Sequence, residues 1–501
     1  MNLKLTFICL LFFSSLNAQQ YAVQELAEEE IKMGTSLSLI PTTSGYYSVM
    51  EHGPAKFGYG VQLFDFTYTT RITSYNSQMK VIKSVELFDG KEKLGPFTSR
   101  FFKLGSKEIF VYFQKQEGKN VFDLNTAEIN PTTLELMNIK KIFEIDPKNV
   151  GFFKLDQIED YRFFIETSVD KQRILFFWAS QHNNKYIYSI VDNDRNILKS
   201  KETAIEAAQN IAISNVLIDN NNAIYINYRY FKDKRMIWNV LKEDFSNTSK
   251  NTIIEMDNAT LLQTNILQST DEKTIKICGS YTINESAING ICMQTLDQNS
   301  MTVSKKINNE IPDDLMNRYI GNLYSSKKEN KKGLDLHTYF VPLVLDNNTV
   351  CMLGEVTLFA AADRRYWKWD ILVALIKNNN ISFINFPKTE EEIGGWNGAK
   401  FYAFTIKDKV VFFYNSKKKE LADRLSESLI SEKKKSYFVT SSLSKDGVQF
   451  SSLISGDIGI WGIESANVIQ QADGSLLIPF RYAKGLYKEK FTYYLFKPVG
   501  K

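Results

Sequence analysis

The segment RILFFWASQHNNKYIYSIVDND, Arg173 to Asp194, decides how this chain folds. Its first part, Ile174–Ala179, is apolar at every position. Successive side chains of a strand point to opposite faces, so this strand has no face to give to water. It needs a layer on each side. In α/β folds those layers are helices. A polar run, Gln181–Lys185, then turns the chain, and a second strand ends at Asp192-Asn193-Asp194.

The same phrase recurs along the chain. AIYINYRYFKDKRMIWNVLKED begins at Ala223, TIKICGSYTINESAINGICMQTLD at Thr274 and TVCMLGEVTLFAAADRRYWKWDILVALIKNN at Thr349. A long version begins at Val410, and SLLIPFRYAKGLYKEKFTYYLFKPVGK closes the chain from Ser475. EIFVYFQKQEGKNVFDLNTAEI from Glu108 fits, and AKFGYGVQLFDFTYTTRITSYN from Ala55 fits less well. Each is a strand, a polar loop and a second strand, at irregular intervals of about 50 to 75 residues, near or above the length of a propeller blade.

Helical patterns are few. The candidates are Gln24–Met33, Lys201–Ala212, Ile311–Arg318 and Lys418–Ile430, too few to alternate with the strands. Packing sheet on sheet is the other way to cover both faces, and small sheets arranged radially achieve it. The expected fold is an all-β propeller of about seven blades, within a range of six to eight. The final strand, Phe491–Phe496, is expected to join an N-terminal strand and close the ring. Tandem β-sandwich domains are the alternative. High aromatic content, with 35 Phe and 25 Tyr, suits pleated, half-buried surfaces. No Pro/Ser/Gly linker divides the chain, so residues 19–501 read as one propeller-like domain.

ICGSYTINESAINGICMQTLD, followed by INNEIPDDLMNRY, resembles a recurring unit of exported, uncharacterised propeller-like proteins of Bacteroidota. TYFVPLVLDNNTVCMLGEV is similar to their later repeat, with Asn347-Asn348 at the turn where Gly is usual. The resemblance covers about half of the chain. It implies a repeat-built propeller and carries over no functional residue.

The N-terminus, MNLKLTFICLLFFSSLNAQQ, reads as a secretory signal peptide over residues 1–18. Lys4 is its positive region, Leu5–Phe13 its apolar core and Ser14–Ala18 its exit. Cys9 lies inside the apolar run without small residues before it, unlike a lipid-attachment cysteine. No later segment has the ~20 continuous apolar residues of a membrane helix. The expectation is an exported chain, periplasmic or extracellular, with no membrane span. Lys and Arg number 61 against 57 Asp and Glu, a balance with no strong pull toward nucleic acid or anionic lipid. The runs Lys417–Lys419 and Lys433–Lys435 read as solvated faces.

Catalytic signatures are scarce. The three histidines, His52, His182 and His337, are far apart in sequence and form no HExxH pair. No nucleophile elbow or phosphate loop appears. No cofactor and no metal are expected. Asp192, Asp194 and Asn196 have the start of a calcium loop, but Ile197 and Thr203 stand where Gly and Glu are needed. A polar turn is the plainer reading. Ser444-Lys445-Asp446-Gly447 resembles the Asp-box turn of sugar-processing propellers, in one imperfect copy. Adjacent Arg364 and Arg365 point to opposite strand faces and cannot alone form the arginine cluster of a sialidase.

Two further expectations concern single residues. Cys278 and Cys292 are equidistant from Glu285, so a hairpin centred there opposes them, and an exported chain permits a disulfide. Two half-buried thiols are the alternative. Cys351, between Val350 and Met352, reads as a buried free thiol. Trp367 and Trp369 share a strand face, and Trp396 stands among glycines on a loop; these three are the candidate ligand-binding residues. Packing in the core or under the loop is the plainer reading of each. The leading functional expectation is a non-catalytic exported propeller that binds a protein or envelope component. The alternative is a carbohydrate-active enzyme or lectin-like propeller, whose chemistry would need paired carboxylates.

Overall fold

The chain forms eight sheets of four or five antiparallel strands, as described by a computed structural model. The structure describes residues 21–498 apart from 33–34, 53–68, 89–98, 147–160, 181–183, 206–210, 270–272, 284–286, 317–332, 361–364, 387–390, 395–400, 417–436, 457–461, 464–467, 484–487 and the single positions 106, 118, 120, 234, 335, 337, 347, 407, 448 and 472. Seven sheets are contiguous in sequence: residues 35–88, 100–145, 161–204, 212–254, 260–310, 340–394 and 401–456, here blades 1 to 7. Blade 8 takes its inner strands from residues 462–498 and its outer strand, Tyr21–Lys32, from the N-terminus. That strand pairs antiparallel with Lys488–Pro498, from Tyr21 opposite Pro498 to Lys32 opposite Lys488. The ring is therefore an eight-bladed β-propeller, closed as the terminal strand suggested.

The two-faced strands explain the radial packing. Ile174, Phe176 and Trp178 join a core with blade 2, while Leu175, Phe177 and Ala179 of the same strand join a core with blade 4. Val410 and Phe412 face blade 6, whereas Val411 and Phe413 face blade 8. Eight hydrophobic clusters fill the eight interfaces of the ring. The recurring hairpins are the second and third strands of the blades, which carry this double burial. The Ala55 phrase fits poorly because it misses the second strand of blade 1, Gly45–His52. The fourth strands of blades 3 and 5, Ile197–Ala204 and Val303–Glu310, are largely polar and exposed.

Two helical expectations are corrected and a third is met in part. Gln24–Met33 lies largely in the closing strand, where pairing with the C-terminus overrides helical periodicity. Lys201–Ala212 spans the end of one strand, Ile197–Ala204, and the first residue of the next, Ala212–Ile218. Within Ile311–Arg318, residues 313–316 are helical as expected, and 317–318 lie outside the described residues. Lys418–Ile430 and both lysine runs lie outside the described residues.

The expected disulfide is also corrected. Cys278 lies opposite Met293, and Cys292 opposite Gly279. This offset of one residue sends the thiols to opposite faces. Cys278 packs against blade 6 and Cys292 against blade 4; both, like Cys351, are buried and free. Glycine at 279 is required sterically, because a β-carbon there would meet the Gln263 carbonyl oxygen at 2.2 Å.

Two repeated devices tie each blade to its neighbour. In three blades the turn between third and fourth strands places a residue in the left-handed region with its side chain in the interface with the preceding blade. Met79 (φ 56°), Leu134 (φ 63°) and Met301 (φ 59°) do so in blades 1, 2 and 5. In the opposite direction, a lysine reaches the same turn of the following blade. Lys83 Nζ donates to the Thr132 carbonyl at 3.3 Å, Lys140 to the Asp194 carbonyl at 2.8 Å and Lys199 to the Asp244 carbonyl at 2.9 Å. Lys250 donates to the Asn299 carbonyl, Lys305 to Asn379 and Lys377 to Asp446, continuing the series to blade 7.

Candidate functional site: an arginine sector in blades 2 to 4

The two ends of the ring differ. One carries the short turns between first and second and between third and fourth strands. The other carries the remaining hairpin turns and the connections between blades, where the intervals between successive strands are longest in sequence. Three arginines lie on strands that line successive blades toward this second, long-loop face.

Arg100 begins the first strand of blade 2, Arg100–Leu104. Its Nη2 donates to the Phe163 carbonyl of blade 3 at 3.1 Å, and its guanidinium lies 4.5 Å from the centre of the Phe163 ring. Such stacking is favourable because the ring face is electron-rich. Burial pulls the Arg100 pKa down to about 10, and nearby Glu166 opposes that pull. Burial pushes the Glu166 carboxyl up to about 7, with Arg100 only partly offsetting it. Glu166 thus holds a proton near neutrality.

Arg162 is the second residue of the first strand of blade 3, Tyr161–Thr167, and is exposed. Arg229 lies on the second strand of blade 4, Ile224–Lys232, opposite Ala212, the first residue of that blade. Both therefore sit toward the long-loop end. The Arg229 guanidinium lies 5.6 Å from the Trp238 ring centre, and Nη1 lies 3.4 Å from Met236 Sδ. Its pKa is lowered first by burial and then by the charge of Arg162. No described carboxylate forms an ion pair with Arg162 or Arg229.

A second polar constellation joins blades 3 and 4. The Glu243 carboxylate, 2% exposed, accepts from Tyr186 Oη at 3.0 Å, Tyr188 Oη at 2.5 Å and Lys201 Nζ at 2.9 Å, with Lys199 Nζ at 3.5 Å. Burial alone would raise its pKa, but these donors hold it below the ordinary carboxylate value. With its oxygens already engaged, Glu243 serves as a staple between blades.

The residues singled out from sequence fall elsewhere. Trp367 and Trp369 lie on the strand Arg365–Lys377 of blade 6, Trp367 opposite Leu358 and Trp369 at a shift of register; their side chains are outside the described residues, as is that of Arg365. Trp396, His182, His337 and Arg364 lie outside the described residues, and His52 is placed only as the end of Gly45–His52. Asp192 Oδ1 accepts the backbone N–H of Asp194 at 2.9 Å and of Asn196 at 2.8 Å, the geometry of a polar turn. Ser444–Gly447 is likewise a turn, with Gly447 at φ 81° and Asp446 paired to Lys377. Among the described residues no cluster of three or more His, Cys, Asp or Glu could hold a metal, and no helix is long and apolar enough to cross a membrane.

The arginine sector had a signal in the sequence that motif searching overlooked. Arg100, Arg162 and Arg229 are each followed by two aromatics: Phe101-Phe102, Phe163-Phe164 and Tyr230-Phe231.

No protein-family model matches the chain, and no curated protein matches it. Similar solved structures include the Dos1 propeller, 10% identical with a TM-score of 0.45, covering 94% of this chain and 95% of that one. The polysaccharide lyase Uly1 is 9% identical with a TM-score of 0.43, covering 95% of this chain and 100% of that one. Prolyl oligopeptidase B from Galerina marginata is 10% identical with a TM-score of 0.39, covering 82% of this chain and 47% of that one.

Proposed function

We propose that this chain is an exported, non-catalytic β-propeller that binds a protein or cell-envelope component through its long-loop face. The observation behind this reading is the charge arrangement on that side of blades 3 and 4. Arg162 is exposed, Arg229 is half-buried on Trp238, and burial first, then the charge of Arg162, disfavours the charge of Arg229. A partner bearing negative charge would relieve that repulsion and take up the guanidinium donors. The N-terminal signal supports export. Photo-crosslinking from position 231, an exposed phenylalanine at the same end of blade 4, tests the reading in intact cells: capture of a discrete envelope partner supports it, and the absence of any adduct speaks against it.

Glu166 favours a second reading. A carboxyl with a pKa of about 7 beside Arg100 has the acid–base character that glycoside cleavage uses, although a partner carboxylate is also required. The purified chain incubated with envelope polysaccharides tests this. New reducing ends that disappear in Glu166→Gln would establish a carbohydrate-active enzyme in place of the binding role.

A further inference from the structure

We infer that the tip of the blade 4 hairpin, residues 229–238, docks an acidic segment of a partner protein, in which a carboxylate side chain stands beside an apolar one. The inference rests on the binding role proposed above and names the partner's chemistry. The hairpin extends beyond the packed ring. Its strands Ile224–Lys232 and Arg235–Glu243 are buried from Ile224 to Tyr228 and from Trp238 to Val240, and toward the tip both emerge into solvent. In blade 5 the matching strands, Thr274–Thr282 and Gly290–Asp297, stay buried up to their turn. Antiparallel pairing nevertheless continues to the end of the blade 4 hairpin, with Arg229 opposite Trp238, Phe231 opposite Met236 and Lys232 opposite Arg235.

Arg229, Phe231, Met236 and Trp238 share one face, because side chains alternate along a strand and cross-strand partners point the same way. Trp238 is 4% exposed, its Nε1 fixed to the Leu261 carbonyl of blade 5 at 3.0 Å. Its ring centre lies 5.6 Å from the Arg229 guanidinium, and Met236 Sδ lies 3.4 Å from Nη1. Ring and sulfur position the guanidinium, but neither carries a negative charge. Phe231, farther out, is 54% exposed. Aromatic, Met and Arg side chains of this kind anchor protein interfaces. Charge selects the occupant. At the tip Lys232 and Arg235 are exposed and directly opposed, which is unfavourable for like charges. Asp233 is the one acid in residues 229–238, against Arg229, Lys232, Lys234 and Arg235. Among the described residues no carboxylate forms an ion pair with Arg229, Lys232 or Arg235. A partner carboxylate at the tip would relieve the repulsion, and one at Arg229 would match the guanidinium fork. The apolar residue beside it would pack on Phe231 and Met236.

Photo-crosslinking in intact cells tests the inference, with p-benzoylphenylalanine at position 231 to keep an aromatic ring there. The adduct is expected to be a peptide of another protein that carries Asp or Glu beside the attachment point. The double variant Lys232→Glu/Arg235→Glu, confined to exposed tip residues, is expected to lower capture about tenfold, the loss of roughly one charge-assisted hydrogen bond. Lys80→Glu/Lys171→Glu reverses as many exposed charges at the short-turn end and is expected to capture as the wild type does. Arg229→Lys keeps the charge but loses the fork, and is expected to lower capture less than Arg229→Gln. Matching thermal melts of the two double variants exclude unfolding as the cause. Unchanged capture in Lys232→Glu/Arg235→Glu, or an equal loss in both double variants, would overturn the inference. So would an adduct that is a glycan, a lipid, a second copy of this chain or a peptide without acids at the attachment point. In each of those cases the binding role stands and only the partner's chemistry falls. If the wild type captures nothing, the role itself falls.

Discussion

Arg195 of blade 3 and Glu128 of blade 2 form an ion pair across their interface, Nη2 to Oε1 at 3.0 Å. Arg195 holds a left-handed turn position, φ 63°, like that filled by Met79, Leu134 and Met301 in other blades. There an apolar plug is replaced by a cation. Its Nη1 also donates to the carbonyls of Thr126 at 3.3 Å and Asn138 at 2.9 Å.

Deleting this plug should therefore cost more than replacing it. Arg195→Ala is expected to destabilise the fold by about 2–4 kcal/mol, because a cavity opens and buried acceptors lose their donor. Arg195→Met, which restores the side chain found in blades 1 and 5, is expected to cost less than half as much. Urea unfolding of the two variants measures this. Equal losses would show that the ion pair, not the plug, is what matters.

The closing strand is held by more than its backbone ladder. Glu29 accepts from Arg71 Nη2 at 2.5 Å and Tyr75 Oη at 2.7 Å, both in blade 1. Glu29→Ala is expected to cost about 2 kcal/mol and to accelerate hydrogen exchange across Tyr21–Lys32 before other strands respond. Exchange that quickens uniformly round the ring would refute a local clasp.

Glu166 should make stability fall with rising pH. Its carboxyl titrates near the ordinary 4.5 when unfolded and at about 7 when folded. Between those values the folded state holds a proton that the unfolded state has lost. Unfolding then releases a proton, and stability declines as pH rises. Glu166→Gln is expected to remove this slope and to stabilise the chain by about 1–2 kcal/mol at pH 8. Thermal melts at pH 5 and pH 8 provide the comparison; an unchanged slope in the variant assigns the effect elsewhere.

The three core thiols should be inert until the ring opens. Burial pushes Cys278 up to about 12 and raises Cys292 and Cys351 as well. Thiolate is the reactive form, so alkylation at pH 8 is expected at none of the three in the native chain and at all three in guanidinium. A mass two units low before reduction would instead reveal a disulfide.

Legibility followed the range of the interactions. The hairpins were readable because double burial writes apolar residues at every position, as in Ile174–Ala179. The first strand Arg100–Leu104 is short, and the fourth strand Val303–Glu310 is polar, so neither carries a comparable pattern. Lys201–Ala212 read as helical because its exposed strand end has no hydrophobic alternation to contradict helix-forming residues. The cysteine pair failed on register alone: one residue of offset reverses a side chain's face.

The sequence by itself determined that this chain must pack small sheets face to face, since its central strands are apolar on both sides. Tertiary structure alone decided that the ring has eight blades and which charges meet inside it. Glu243 of blade 4 meets Tyr186, Tyr188 and Lys201 of blade 3 only because the two blades pack side by side at a fixed height. That juxtaposition arises from the packing of hydrophobic side chains such as Phe177 and Tyr228, not from the spacing of these residues along the chain.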